Sequence, residues 1–359
     1  MTEKRANNVN GGRARGLVVA ALVAAVTAGC AGVGELFAPS APGVTDEWAA
    51  LLHEIRAYER RIGFVDTDNF VDLSREQDEF PVCGYASRLT LPYSYEDPAI
   101  QWLDAATEEA CRARGHDADA YYATVEAWGE VGTPVTPAMV ASKLDRFLYL
   151  VIHEDCHDQF GLPYGIEEAL CNLITFKAMA AFTEEKYGPY AREHRAIRRY
   201  AETQSRVTRA TITHYEQLAT LYARYEGKEI SSDVLLQERA TIFKLAAKPL
   251  AWTKGELNNV SIANNMTYSR HYPFLESVFD ALGRDLARTV AFFRHVDALK
   301  PASADVMKRH GIAAENSLEY IRAYEAAVVD TIRKALANAD RVSSPRPAWS
   351  WYFAADERR

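Results

Sequence analysis

Residues 136–176 read TPAMVASKLDRFLYLVIHEDCHDQFGLPYGIEEALCNLITF, and this stretch decides the fold. Thr136 before Pro137 is a helix start: a hydroxyl can cap the first amides, and proline loses nothing at the first helical position. Met139, Val140, Leu144, Phe147, Leu148, Val151 and Ile152 recur at helical spacing, which predicts a largely buried helix stopped by Gly161 and Pro163. After the turn LPYG, a second helix is expected from about Ile166 to Tyr187, ended by Gly188-Pro189. The first helix carries His153, Glu154 and His157 as an HExxH pattern. Side chains four apart share a helix face, so both imidazoles can reach one Zn2+. A third protein ligand and a water complete a tetrahedral site, and Glu154 can take a proton from that water. The pair Glu167 and Glu168 heads the next helix and offers the third ligand, and spacing alone leaves both open. The ordinary alternative is a solvated helix with two histidines, and the apolar turns ahead of His153 speak against it.

The flanking sequence is mostly helical. Thr45 or Asp46 caps a helix running to Gly63. Residues 64–98 are mixed, with one strand expected around SRLTLPYSY (87–95), and Ala99 to Cys111 returns to a helical pattern closed by Gly115. Downstream, residues 190–226, 232–249, 270–298 and 314–340 read as helices. Tyr200, Tyr215, Leu218, Leu221 and Tyr222 form the apolar stripe of the first of these. The tail SSPRPAWSWYF is expected to pack back onto the domain. The expected architecture is therefore mainly α, a single domain over 45–359 with its core in about 134–300. A small sheet can come from the N-terminal third. No dinucleotide glycine fingerprint, Walker loop or Gly-x-Ser-x-Gly elbow is present. The formal net charge of −8 and the lack of a basic patch exclude a nucleic-acid partner from the expectations.

The N-terminus reads as a targeting segment. Lys4, Arg5, Arg13 and Arg15 precede the apolar run LVVAALVAAVTA (17–28), which is too short to span a bilayer comfortably and suits a signal-peptide core. TAGC, ending at Cys30, resembles a bacterial lipobox, with Thr27 where an aliphatic residue usually stands. Residues 1–29 are thus expected to be a signal peptide and 30–44 a tether. The implied location is the cell envelope, with a lipid at Cys30 holding the chain to the outer membrane or the periplasmic side; secretion is the alternative. Export favours disulfides among the other four cysteines. Cys156 and Cys171 flank the proposed ligands on two helices that must meet, which favours Cys156–Cys171 with Cys83–Cys111; four small buried hydrophobes are the alternative.

Two resemblances add to this. The run EEALCN resembles the gluzincins, thermolysin-like zinc peptidases. Their ligand Glu lies on a helix after HExxH, followed at once by Ala and four residues on by a polar residue that buttresses a ligand histidine. On that resemblance Glu168 is the third ligand, with Ala169 and Asn172 in the matching places. An amide then replaces the usual Asp, and Glu167 is left as a solvent-facing or helix-start charge. Residues 257–286, LNNVSIANNMTYSRHYPFLESVFDALGRDL, resemble a family of predicted bacterial aminopeptidases, many of them lipoproteins. Leu257, Asn258, Asn259, Thr267, Tyr268, Pro273, Phe274, Gly283, Asp285 and Leu286 carry the likeness, which spans 145–180 and 235–295; residues 64–132 depart from it.

The resemblance implies a gluzincin-like zinc metallopeptidase core acting on a peptide substrate, as an aminopeptidase. The GxMEN motif of the aminopeptidase-N group is absent, so this direction comes from the likeness alone. Attack on a carbonyl builds an oxyanion, for which the Tyr268 hydroxyl is the candidate donor, with His271 and Tyr272 as competitors. Asn258 and Asn259 either hold a loop or bind a substrate terminus. Two other functions stay open: an endopeptidase acting on envelope proteins or cell-wall peptides, and a non-catalytic helical envelope lipoprotein with a structural or relict metal site.

Overall fold

The computed structural model describes residues 46–72, 74, 80–103, 107–127, 132–252 and 257–343. The expected signal segment with Cys30, the tether and the Trp-bearing tail lie outside the described residues. The elements run α1 (Asp46–Arg61), β1 (Phe80–Ala86), β2 (Gln101–Trp102), α2 (Glu108–Arg114), β3 (Asp119–Val125), α3 (Pro137–Ala141) and α4 (Leu144–His157). They continue as α5 (Tyr164–Tyr187), α6 (Arg192–Glu226), α7 (Ser232–Ala247), α8 (Asn259–Ser269), α9 (Tyr272–Ala281), α10 (Leu286–Leu299), α11 (Ser303–His310) and α12 (Leu318–Ser343). The fold is mainly helical with one small antiparallel sheet, ordered β2-β1-β3, as the mainly α expectation had it. No helix among the described residues is long and apolar enough to cross a membrane.

Helix α4 is the centre. Every residue from Leu144 to His157 except Arg146 is buried, which an α-helix tolerates only when neighbours cover it all round. The cover includes α5, α1 and α3. Phe147, Leu148, Leu150, Val151 and Ile152 share one core with Ile166, Leu170, Leu173 and Ile174 of α5. Cys156 and Cys171 form a disulfide that ties α4 to α5, and Cys83–Cys111 ties β1 to α2, so both expected pairings are present.

Helix α8 sits where three layers meet. One face carries Ile262 and Met266 into a core with Tyr215 and Leu218 of α6. A second face packs Val260 and Ala263 on the sheet, against Ala86 and Tyr121. Its N-terminus is fixed by a capping box: the Asn258 side chain accepts from the amides of Val260 and Ser261, and Ser261 Oγ accepts from the Asn258 amide. Buried Asp119 of β3 accepts from the Asn259 amide at 3.0 Å and from both nitrogens of Arg239 on α7 at 2.6 and 2.9 Å. That bidentate pair locks α7, α8 and the sheet together.

Several expectations need correction. The single helix expected from Thr136 is two, α3 and α4, because Ser142 turns its hydroxyl back to the Met139 carbonyl and takes an extended ψ of 167°. The strand expected at 87–95 is irregular backbone; the sheet uses 80–86, 101–102 and 119–125 instead. Helical pattern from Ala99 materialises only as α2. The segment 270–298 is not one helix: α9 and α10 are separated by Gly283 at φ 81°, and α9 opens on the Tyr272-Pro273 start.

Candidate metal centre

His153 and His157 lie one turn apart on α4, and Glu168 stands in the first turns of α5 facing them. The link between the helices is six residues, 158–163, and it folds on itself: the Pro163 carbonyl accepts from the amides of Ile166 and Glu167. This brings three donor atoms together. His153 Nε2 lies 3.1 Å from Glu168 Oε2, His157 Nε2 lies 3.2 Å from His153 Nε2, and His157 Nε2 lies 3.4 Å from Glu168 Oε2. A tetrahedral ion with bonds of about 2.0–2.1 Å sets its ligand atoms about 3.3 Å apart. The three edges therefore match one face of such a coordination shell, and His153, His157 and Glu168 can hold a metal ion. Two imidazole nitrogens and a carboxylate oxygen are also the donor types such an ion takes.

The electrostatics fit a site that exchanges protons for a cation. Burial alone would raise Glu168, but His157 and His153 outweigh it and bring its carboxyl down to about 2. Burial lowers the His153 imidazole to about 4, with Glu168 pulling the other way. Burial also works to lower His157, yet Glu168 and Glu167 raise it well above its ordinary value. A bound cation would take the place of the proton these groups share, because ligands must be deprotonated.

Glu167 corrects the sequence-based reading. It is neither solvent-facing nor merely a helix-start charge: it is 4% exposed, and its Oε1 lies 3.0 Å from His157 Nδ1. Its other oxygen accepts from the Leu162 amide at 2.8 Å. A hydrogen bond from Nδ1–H to this carboxylate leaves the Nε2 lone pair of His157 facing Glu168 and His153, which is how outer carboxylates orient ligand histidines. Among the described residues Asn172 makes no hydrogen bond to His153 or His157. Its Oδ1 accepts from the Tyr149 hydroxyl at 2.7 Å, and the Tyr149 ring stacks on His153 at 4.9 Å between centroids, so the amide acts on His153 through Tyr149.

Glu154 is buried between the histidines in sequence and faces the same region; its charge bears on the hydroxyls of both Tyr149 and Tyr268. Tyr268 on α8 reaches the site, its ring 6.4 Å from that of His153. Its Oη is buried and has no hydrogen-bond partner among the described residues. Burial, then Glu168, pushes this hydroxyl well above its ordinary value, so it stays protonated and able to donate. The competitors are engaged elsewhere: His271 pairs with Glu325 at 3.0 Å, and Tyr272 bonds Ser205 at 2.9 Å. Asn258 caps α8, and Asn259 Nδ2 donates to the Thr90 carbonyl at 2.8 Å and to the Tyr222 hydroxyl. Asp155 is buried and accepts from Thr67, while exposed Asp158 accepts from Asn69 at 3.0 Å.

Other residues at the site had no signal in the sequence. Tyr164 at the start of α5 lies beside Glu168, with burial and that carboxylate raising its hydroxyl. Glu96, on the loop between β1 and β2, feels Glu325, Glu168 and Glu167; burial and these three push it up to about 8. Glu325 of α12 lies directly over Gly165, where any Cβ would strike its carboxylate. It also accepts from the Tyr93 hydroxyl at 2.7 Å.

Fold and site together define a helical protein built around a buried two-histidine, one-carboxylate centre, with an acid and a tyrosine hydroxyl beside it. The family model described as "Putative aminopeptidase" matches residues 102–310. That is more than half of the 359 residues and includes His153, Glu154, His157, Glu168 and Tyr268, and the chain belongs to this family of peptidases. No curated protein and no solved structure matches the chain.

Proposed function

We propose that the protein is a zinc-dependent aminopeptidase in which His153, His157 and Glu168 hold the metal. The observation that carries the reading is the triangle of donor atoms at 3.1, 3.2 and 3.4 Å with Glu154 and the unpaired Tyr268 hydroxyl beside it. Bound Zn2+ would polarise the scissile carbonyl and ease removal of a proton from water. Glu154 takes that proton as the water adds to the carbonyl carbon, then delivers it to the leaving amine nitrogen as the C–N bond breaks. Tyr268 Oη–H donates to the oxyanion while it exists and releases it when the carbonyl re-forms. Glu167 holds the tautomer of His157 throughout.

Family membership supports the peptidase class. Glu96 supports the amino-terminal direction: it is a carboxyl group facing three others, with no hydrogen bond or ion pair among the described residues, where a substrate ammonium would relieve the repulsion. A lipid at Cys30, tethering the catalytic domain to an envelope membrane, remains part of the proposal. Mass analysis of the mature N-terminus tests it, with an unmodified or uncleaved terminus counting against it.

The test of the catalytic reading is metal content beside a peptide panel with free and acetylated N-termini, for the wild type and Glu154→Gln. About one zinc per chain in both proteins, with cleavage of free peptides by the wild type alone, is expected. Cleavage of acetylated peptides at internal bonds makes it an endopeptidase. Full activity of Glu154→Gln, or no cleavage by either protein, overturns the mechanism.

A further inference from the structure

Asn264 is 1% exposed, and neither its Oδ1 nor its Nδ2 has a hydrogen-bond partner among the described residues. Buried side-chain amides are nearly always paired, so one with both ends open asks for an explanation. Asn265 and Asn259 of the same helix each leave only Oδ1 open, so Asn264 is the α8 amide with both ends unpaired among the described residues. Thr267 Oγ1 accepts from the Tyr95 amide at 2.9 Å, Ser261 closes the capping box, and Asn259 is bonded to Thr90 and Tyr222.

Helical geometry says where Asn264 points. Ile262 and Met266 face α6, and Val260 and Ala263 face the sheet. Asn264 stands one turn before Tyr268 and one turn after Val260, about 40° round the helix from each, at the edge between the sheet face and the face that carries Tyr268. The latter is the face on which Tyr268 meets His153. The open amide is therefore about 6 Å along the helix from the proposed oxyanion donor, a distance that about two residues of extended chain cover.

An amide presents one donor and one acceptor side by side. A carboxylate ligand could satisfy only Nδ2 and an ammonium only Oδ1, whereas one residue of an extended peptide turns its own N–H and C=O to the same side and can satisfy both. We propose that Asn264 is a substrate-binding residue that pairs with the second residue after the scissile bond: Oδ1 accepts from its N–H, in the peptide unit that follows the scissile one, and Nδ2–H donates to its carbonyl. An aminopeptidase substrate has no peptide unit on the other side of the scissile bond, which fixes the choice. The inference rests on the proposed peptidase reading.

The experiment compares a tripeptide with the matching depsipeptide, in which an ester replaces the second linkage and so removes the N–H that Oδ1 accepts. Release of the N-terminal residue is followed by mass spectrometry with zinc-loaded full-length protein, Asn264→Leu and Asn264→Ala, each checked by thermal melting. The wild type is expected to favour the amide roughly tenfold in kcat/KM, the scale of one hydrogen bond. In both variants the ratio should fall toward one, mainly through loss on the amide substrate. An unchanged ratio in a folded variant overturns the assignment, and so does a wild type that cleaves both substrates equally. The wild-type comparison decides even where neither variant folds. A wild type that releases nothing from either substrate removes the peptidase reading and this inference with it, an outcome distinct from equal cleavage.

Discussion

Replacing Tyr268 by Phe separates catalysis from stability. The ring stays, so its packing near His153 at 6.4 Å and the core around it are kept. Only Oη goes, and in the substrate-free protein that atom is buried without a partner. An unpaired buried hydroxyl costs about 1–3 kcal/mol, so its removal should stabilise the fold by about 1 kcal/mol. For a chain of this length that is a rise in Tm of about 2 °C. Activity should move the other way. Losing one donor to a developing oxyanion costs about 10²–10³ in kcat, with KM little changed because the bond is made chiefly in the transition state. The assay is kcat and KM on a cleaved peptide beside melting curves with and without zinc. A kcat within threefold of the wild type would show that Tyr268 is a packed aromatic and no more. A fall in Tm of several degrees would refute the account of its hydroxyl as unpaired in the folded protein.

Glu167→Ala should weaken zinc affinity about 10–100-fold while the three ligands stay, measured by competition with a chromogenic chelator; affinity unchanged would mean that the carboxylate does not orient His157. Glu96 is raised from 4.5 to about 8 in the fold, so the native state holds its proton more tightly than the unfolded chain. Its contribution is present below pH 4.5 and is lost as pH climbs toward 8. In chelator-treated protein, Glu96→Gln should therefore raise Tm more at pH 8.5 than at pH 5. Zinc should shrink that difference by drawing the carboxyl down, and an equal effect at both pH values would count against the account. Replacing Cys156 and Cys171 together by Ala opens a link spanning 15 residues and should cost about 3 kcal/mol by chain entropy, read from denaturant midpoints. A loss under 1 kcal/mol would mean that packing of α4 on α5 does not depend on the bond.

The fold was legible where one periodicity covered a whole element. α5, α6 and α7 follow their apolar spacing closely, and the HExxH turn sits where helical period and metal-ligand spacing coincide. The break between α3 and α4 was not legible, since the apolar period runs straight through Ser142 and only the hydroxyl's bond to Met139 reveals it. β1 was hidden by its own composition. FPVCGYA carries Pro81 and Gly84, both unusual in strands, but the Trp102 ring lies where a Cβ on residue 84 would be, so this glycine is what lets β2 pair there. The centre divides in the same way. Local spacing named His153, Glu154 and His157, and resemblance chose Glu168. The roles of Glu167, Tyr149 and Glu96 depend on how the 158–163 turn and the loop before β2 fold, which no short-range pattern encodes.

The polar groups left open also explain why the centre is so heavily braced. His153 Nδ1 on α4, and Tyr268 Oη and both ends of Asn264 on α8, are buried and unpaired among the described residues. Together they cost several kcal/mol, which an apolar lining would not. Such a face tends to close on itself by small rotations of its helices unless they are held. The bracing lies just outside it: the Cys156–Cys171 bond fixes α4 to α5, and the Asp119–Arg239 pair with the Asn258 cap fixes α8 to α7 and the sheet. Breaking that ion pair by Asp119→Ala leaves a buried guanidinium and should cost about 3–5 kcal/mol. Because α8 carries Tyr268 and Asn264 but none of the three metal ligands, the loosened variant should lose peptide hydrolysis at temperatures where it still binds a full equivalent of zinc. Parallel loss of zinc and activity with temperature would mean that α8 and the α4–α5 pair are one cooperative unit, and that this bracing serves the fold as a whole.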